Sequence, residues 1–213
     1  MQKALIVWGG WEGHEPQACA RIVEDILIGL GFEVRVEEGV QALGETDLSD
    51  LSLLVPIVTM GKMSREMGQT VSKAIASGVG LAGFHGGIGD SFRDCSEFQY
   101  IVGGQFVAHP GNVITYDVNI TRPDDPVMQG ISDFTYTSEQ YYLHVDPAIE
   151  VLATTTFSGA HDPWTAGTVM PVAWKKRFGA GRVFYSALGH KAAEFDHPQM
   201  RRLFTQGAAW AAR

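Results

Sequence analysis

Thiols are scarce in this chain: Cys19 and Cys95 are the only two cysteines in 213 residues. Two thiols so far apart make neither a disulfide framework nor a zinc knuckle, and a chain of this length buries enough core to fold without either. Basic clusters are missing as well. Asp and Glu number 24 against 16 Lys and Arg, a formal charge of -8, and nothing longer than Lys175-Lys176-Arg177 gathers positive charge. A phosphate-tracking surface needs a basic stripe, so nucleic acid is not an expected partner. No apolar run nears the ~18 residues that span a bilayer. The stretch from Ala4 to Trp8 is too short for a signal-peptide core. The expectation is a reduced, cytoplasmic protein with no membrane partner. No repeat, low-complexity tract or linker interrupts it, so residues 1–213 read as one domain.

Glycine is abundant instead, at 25 residues without period, which signals many tight turns. The first half alternates strand and helix patterns. Ala4 to Trp8 reads as a strand buried on both faces and closed by Gly9-Gly10. Pro16 suits a first helical turn, and Ala18, Ile22, Val23, Ile26, Leu27 and Leu30 follow at helical spacing up to Gly31. Phe32 to Val36, Leu51 to Val58 and Val79 to Phe84 read as further strands, with a helix over Ser64 to Ser77. Such alternation predicts right-handed crossovers and a mainly parallel sheet. Residues 112–156 read as strands and turns instead. Pro171 to Arg177 and Arg182 to Leu188 flank Phe178-Gly179-Ala180-Gly181 as a hairpin, and a last helix opens near Asp196-His197-Pro198.

Gly78-Val79-Gly80-Leu81-Ala82-Gly83 matches a dinucleotide fingerprint in letters only. A helix precedes it and a strand follows, the reverse of what phosphate binding requires. Gly83-Phe84-His85-Gly86-Gly87 carries more information. It has the spacing of a nucleophile elbow at a strand end, where glycines permit a strained turn that exposes the central residue. That residue is His85, not Ser or Cys, which argues against acyl transfer through a side-chain nucleophile here and points to a base, an electrostatic partner or a metal ligand; a buried hydrogen-bonded histidine is the plain structural reading.

Further histidines fall beyond predicted strand ends, where open α/β sheets bind ligands. His14 lies in Gly9-Gly10-Trp11-Glu12-Gly13-His14, and His190 follows Ala187-Leu188-Gly189. His109 and His144 sit in the middle segment, while His161 and His197 look peripheral. Glu139 is the carboxylate expected near them. If Ser138 to His144 is one strand, Glu139 and Tyr141 share a face and Tyr142 and His144 share the other, so both sets meet in one site only if a bulge or turn intervenes. Trp11 can stack on a sugar ring or cap the core.

Taken in order, these blocks resemble the trehalose-utilisation (ThuA-like) family. The resemblance continues through His109-Pro110-Gly111, Ser138-Glu139-Gln140-Tyr141-Tyr142, Pro171-Val172-Ala173-Trp174 and Gly179-Ala180-Gly181-Arg182-Val183-Phe184-Tyr185, and ends in Gly189-His190. It implies a three-layer, flavodoxin-like α/β fold similar to class I glutamine amidotransferases, with an antiparallel hairpin added to a mainly parallel sheet. It also implies a role in disaccharide catabolism on oxidised (keto) sugars. Amidotransferase activity does not carry over, because His85 stands where that superfamily needs Cys, and Glu194 follows His190 by four residues where its triad expects two.

The leading expectation is a sugar or keto-sugar isomerase, epimerase, lyase or hydrolase. His85 and His190 would serve as base and acid with Glu139 orienting one of them. Trp11, His14, Gly86, Gly87, His109, Tyr141 and His144 would line the substrate site. A variant adds a divalent metal held by some of His14, His85, His144 and His190, although no local ligand motif supports it. Two other readings stand beside these: a non-catalytic sugar-binding or regulatory module, and amidohydrolase chemistry through a water nucleophile. Homodimer formation is a general expectation for a compact α/β domain.

Overall fold

The computed structural model describes residues 2–213. Its strands are β1 (Lys3–Gly10), β2 (Glu33–Glu38), β3 (Leu53–Thr59), β4 (Gly80–Phe84), β5 (Gly104–Ala108), β6 (Val113–Ile120), β7 (Phe134–Glu139), β8 (Tyr142–Val145), β9 (Glu150–Thr156), β10 (Val169–Phe178) and β11 (Gly181–Ser186). Its helices are α1 (Pro16–Gly29), α2 (Ala42–Glu45), α3 (Arg65–Ala76), α4 (His85–Gly89), α5 (Ser96–Val102) and α6 (Pro198–Ala211). None is long and apolar enough to cross a membrane.

Nine strands form one sheet in the order β2-β1-β3-β4-β11-β10-β9-β6-β7, and β5 pairs with β8 in a second, small sheet. The first five positions are parallel, as the βα alternation predicts. The hairpin at Phe178–Gly181 then reverses direction, and the antiparallel part runs on through β9, β6 and β7. This extension is larger than one hairpin. Strands β6 and β7 alternate buried and exposed residues, the pattern of a sheet with one wet face.

Two cores lie on the two faces. Alternate residues of β1 separate them, Ala4 and Ile6 packing toward α1 and α6, Leu5 and Val7 toward α3 and α5. All seven residues of β3 are buried, as expected of a central strand covered on both sides. Helix α3 starts at Ser64, whose hydroxyl accepts the Met67 amide. The dinucleotide-like glycines are packing glycines. A Cβ on Gly80 would stand 2.2 Å from the Ala211 carbonyl oxygen, so the sheet meets the end of α6 at backbone contact.

Residues 138–144 are not one strand. Glu139 ends β7, and buried Gln140, whose Nε2 donates to Thr155 Oγ1 at 2.8 Å, anchors a crossing into β8 of the other sheet. Lys175 and Lys176 are buried rather than displayed, paired with Asp125 and Asp146.

Candidate functional site

The parallel strands β1, β3, β4 and β11 end on the same edge of the sheet, and each delivers a polar residue there. His14 closes a short turn after β1, Thr59 ends β3, His85 follows β4, and His190 lies just beyond β11. Glu139, at the end of β7, reaches the same point. Its Oε2 lies 3.1 Å from His85 Nε2, 3.3 Å from His190 Nδ1 and 3.8 Å from His14 Nε2. The three imidazoles stand edge to face, with ring centroids 4.8 to 5.3 Å apart. All four side chains are buried.

The elbow has the strain expected of it. His85 has φ 46°, and Met60 beyond Thr59 and Glu15 beyond His14 are also left-handed. Such conformations persist only where surrounding bonds hold them. The Tyr185 hydroxyl donates to the His85 carbonyl at 3.1 Å, and the Ser91 hydroxyl lies 2.7 Å from the Gly87 carbonyl. Gly86 is required by contact: a Cβ there would fall 2.7 Å from His14 Cε1 and 2.8 Å from Thr59 Cγ2. Gly87 faces the backbone of Ile57 in β3 rather than the cleft.

Each imidazole is aimed by a partner distant in sequence. His85 Nδ1 donates to the Ala187 carbonyl at 2.8 Å, so Nε2 turns toward Glu139. His14 Nδ1 bonds Thr59 Oγ1 at 2.8 Å, leaving its Nε2 on the carboxylate side. His190 is held through its main chain, where Glu194 accepts the amides of Gly189 and His190. Glu194 also accepts from the Tyr136 and Ser138 hydroxyls near the end of β7. This carboxylate therefore ties the His190 loop to the strand that carries Glu139. Its replacement by Ala is expected to cost about 2–3 kcal/mol in urea unfolding, since buried donors lose their acceptor. A loss below about 0.5 kcal/mol, the range of ordinary surface changes, would contradict that anchoring role.

Burial holds the His85 imidazole down to about 4, against the opposing pull of Glu139. Burial alone would raise the Glu139 carboxyl, but the contacts from His14, His190 and His85 outweigh it and keep the group well below the usual carboxylate range. Burial also pushes the phenol of Tyr141 well above its ordinary value. The Cys19 thiol, buried beneath His14, is pushed up to about 12 by burial and so is no thiolate nucleophile.

A cleft of about 170 Å³ opens above this floor. Trp11, 48% exposed, forms its lip and meets His14 edge-on at 4.7 Å. Tyr141 lies against His85 at 3.9 Å between ring centroids, and Phe106 packs on Tyr141 at 4.5 Å. His109, with a third of its side chain exposed, reaches to 3.7 Å from Glu139 Oε1. Asp90, held by Arg93, completes the wall.

Of the residues singled out from the sequence, His14, His85, His190 and Glu139 converge, and Trp11, His109, Tyr141 and Gly86 surround them. His144 does not join them. It is exposed on β8, opposite Gln105, and lines a separate groove of about 470 Å³ beside Tyr100 and Asp146. The elbow does not expose its central residue as its spacing predicts: His85 is 1% exposed, with Nδ1 on the Ala187 carbonyl and Nε2 against Glu139, because the Glu139 and Tyr141 side chains cover it. Thr59, Asp90, Phe106 and Glu194 are additions that sequence reasoning missed. Glu194 had a local signal, one helical turn from His190; a Thr ending a strand has none.

Comparison with solved structures finds the same fold at low identity. A ThuA-like protein from Bacteroides uniformis is similar at TM-score 0.81 and 18% identity, over 99% of this chain and 91% of that one. A ThuA-like protein from Parabacteroides merdae is similar at TM-score 0.79 and 20% identity, over 99% and 89%. A β-galactosidase from Bacillus circulans matches at TM-score 0.60 and 18% identity, with 99% of this chain covering 30% of that enzyme. Comparison with curated protein sequences finds no match. The model of the family ThuA, described as trehalose utilisation, matches residues 3–211. The chain belongs to the trehalose-utilisation (ThuA) family.

Proposed function

We propose that the protein is an enzyme of disaccharide catabolism that removes a proton beside the ketone of an oxidised sugar, opening the way to isomerisation, epimerisation or β-elimination of the glycosidic bond. The observation that carries this reading is the convergence of three histidines and Glu139 at the floor of a cleft lined by Trp11, Phe106 and Tyr141. A ketone acidifies its neighbouring C–H, and what the reaction then needs is a base at that carbon and a polar floor for the developing enolate. The cleft is smaller than the ~300–1,000 Å³ of most ligand sites, so it would enclose one sugar ring and leave the second against Trp11.

His109 is the group we assign to the proton. It is the most accessible imidazole at the cleft, and its ring stacks toward Tyr141 with centroids 6.5 Å apart. His85 and His190, which lie beneath the cleft, act with Glu139 to polarise the carbonyl. A keto-disaccharide incubated in D₂O is expected to exchange deuterium at the carbon beside its ketone, or to release a monosaccharide, as followed by NMR. His109→Ala should slow this by about 100-fold or more while leaving sugar affinity within a few-fold. Binding of the keto-sugar with neither exchange nor cleavage would favour the sugar-binding reading instead. Full turnover in His109→Ala would remove that residue from proton transfer.

A further inference from the structure

We propose that His14 Nε2, His85 Nε2, His190 Nδ1 and Glu139 Oε2 form a binding site for one first-row divalent transition-metal ion, Zn²⁺ being the form that three imidazoles and one carboxylate suit best. This goes beyond the sugar reaction proposed above and does not depend on it, since metal content is measured without substrate.

Three observations carry the site. The first is spacing. The four ligand atoms all lie within 4.8 Å of one another, with Glu139 Oε2 at 3.1, 3.3 and 3.8 Å from the three nitrogens. Ligands about 2.0–2.1 Å from a tetrahedral zinc stand roughly 3.3 Å apart, so small side-chain movements close the shell.

The second is the direction of the ring protons. A carbonyl only accepts, so the Ala187 contact puts the proton of neutral His85 on Nδ1 and its lone pair on Nε2, 3.1 Å from a carboxylate oxygen. Two acceptor atoms in such contact need something positive between them. A shared proton can serve, and so can a cation. His14 is likewise held at Nδ1, by the Thr59 hydroxyl at 2.8 Å, which leaves its Nε2 facing the carboxylate. An imidazole whose far nitrogen is bonded to a carbonyl or hydroxyl is the arrangement that orients metal-ligating histidines.

The third is His190. Its Nδ1 is buried and has no hydrogen-bond partner among the described residues although it points among these atoms, with the side chain 8% exposed. A buried ring nitrogen left unpaired costs stability. Coordination satisfies it. A lone salt bridge to Glu139 would engage one imidazole and leave the others unexplained, whereas a cation uses all four groups. His14 and Glu139 also line the cleft, so the site borders the space a sugar would occupy.

The test is made on the whole chain. Protein stripped with a chelator and reloaded with Zn²⁺ or Co²⁺ is expected to hold close to one ion per chain by mass spectrometry, with the visible absorption of low-coordinate Co²⁺. Thermal unfolding should shift upward on reloading. His190→Ala and Glu139→Gln are expected to weaken Zn²⁺ binding by about 100-fold or more, and Thr59→Val, which only releases His14, by about 10-fold. His144→Ala should bind as the unaltered chain does. Circular dichroism read beside each variant separates lost ligation from lost fold, and the Co²⁺ spectrum of the unaltered chain stands apart from any variant. No stoichiometric ion after reloading would overturn the proposal. Binding that survives in folded His190→Ala and Glu139→Gln, or falls equally in His144→Ala, would do the same.

Discussion

Glu139→Gln is expected to reduce keto-sugar turnover by about 1,000-fold while the chain still folds. The substitution keeps the size of the side chain and removes its charge, and no other carboxylate contacts all three imidazoles. The amide can offer its NH₂ group to the lone pair of His85 Nε2, so the cluster keeps its packing but loses the charge that three imidazoles face. Losing a single preorganised electrostatic group in an active site costs on the order of 100- to 1,000-fold, and Glu139 organises three others. Turnover would be followed by the deuterium exchange described above, with circular dichroism as the check on folding. A variant that retains turnover within about threefold would show that the reaction happens elsewhere, and the groove beside His144 would become the next place to test.

The largest stability effect is expected at a residue that carries no reacting group. Gly10→Ala should destabilise the fold by about 2–4 kcal/mol, the sum of a left-handed residue forced to carry a side chain and an overpacked contact. Gly10 has φ 81°, and a Cβ there would stand 2.1 Å from the Thr59 carbonyl oxygen. The neighbour is backbone of β3 and cannot swing away. Because Thr59 aims His14, the same change should also disturb the site. Gly31→Ala is the matched control: its φ is 87°, but no atom of the described residues lies within 4 Å of a Cβ there. It should cost only about 1–2 kcal/mol for the backbone conformation. Equal losses for the two in urea unfolding would mean that the contact between the ends of β1 and β3 has slack, and that Gly10 matters for its φ alone.

Much of this organisation was legible from local pattern. Helix α1 follows from the repeat of Ile22, Val23, Ile26 and Leu27 and from Pro16 at its start, and the structure begins it at that proline; its buried face takes in Cys19 and Ala20, while Ala18 and Leu30, counted in the sequence pattern, are exposed. The elbow was legible because its chemistry is local: small residues must flank a strained turn, and His85 is indeed left-handed between a strand and a helix. The histidines were legible only as candidates. His14 and His144 look alike in sequence, each near the end of a strand; one is buried against Glu139 and the other faces solvent. Within residues 138–144 the alternation read from the sequence holds for the site even though Gln140 breaks the strand: Glu139 and Tyr141 serve one cleft and His144 faces away from it.

What the sequence alone determined is the alternation of strands and helices, the parallel half of the sheet that this alternation requires, the elbow, and the ordered set of motifs that marks the family. These follow from periodicity and from steric demands spanning a few residues. Only the tertiary structure decided which side chains meet. His85 and Glu139 are 54 positions apart, and His14 and Thr59 are 45 apart. Parallel strands carry His14, Thr59 and His85 to one edge whatever their separation along the chain, and the end of β7, in the antiparallel part, brings Glu139 to the same place. Which ring nitrogen turns inward was decided there too, by a carbonyl at Ala187 and a hydroxyl at Thr59, because an imidazole is oriented by the group that holds its other nitrogen.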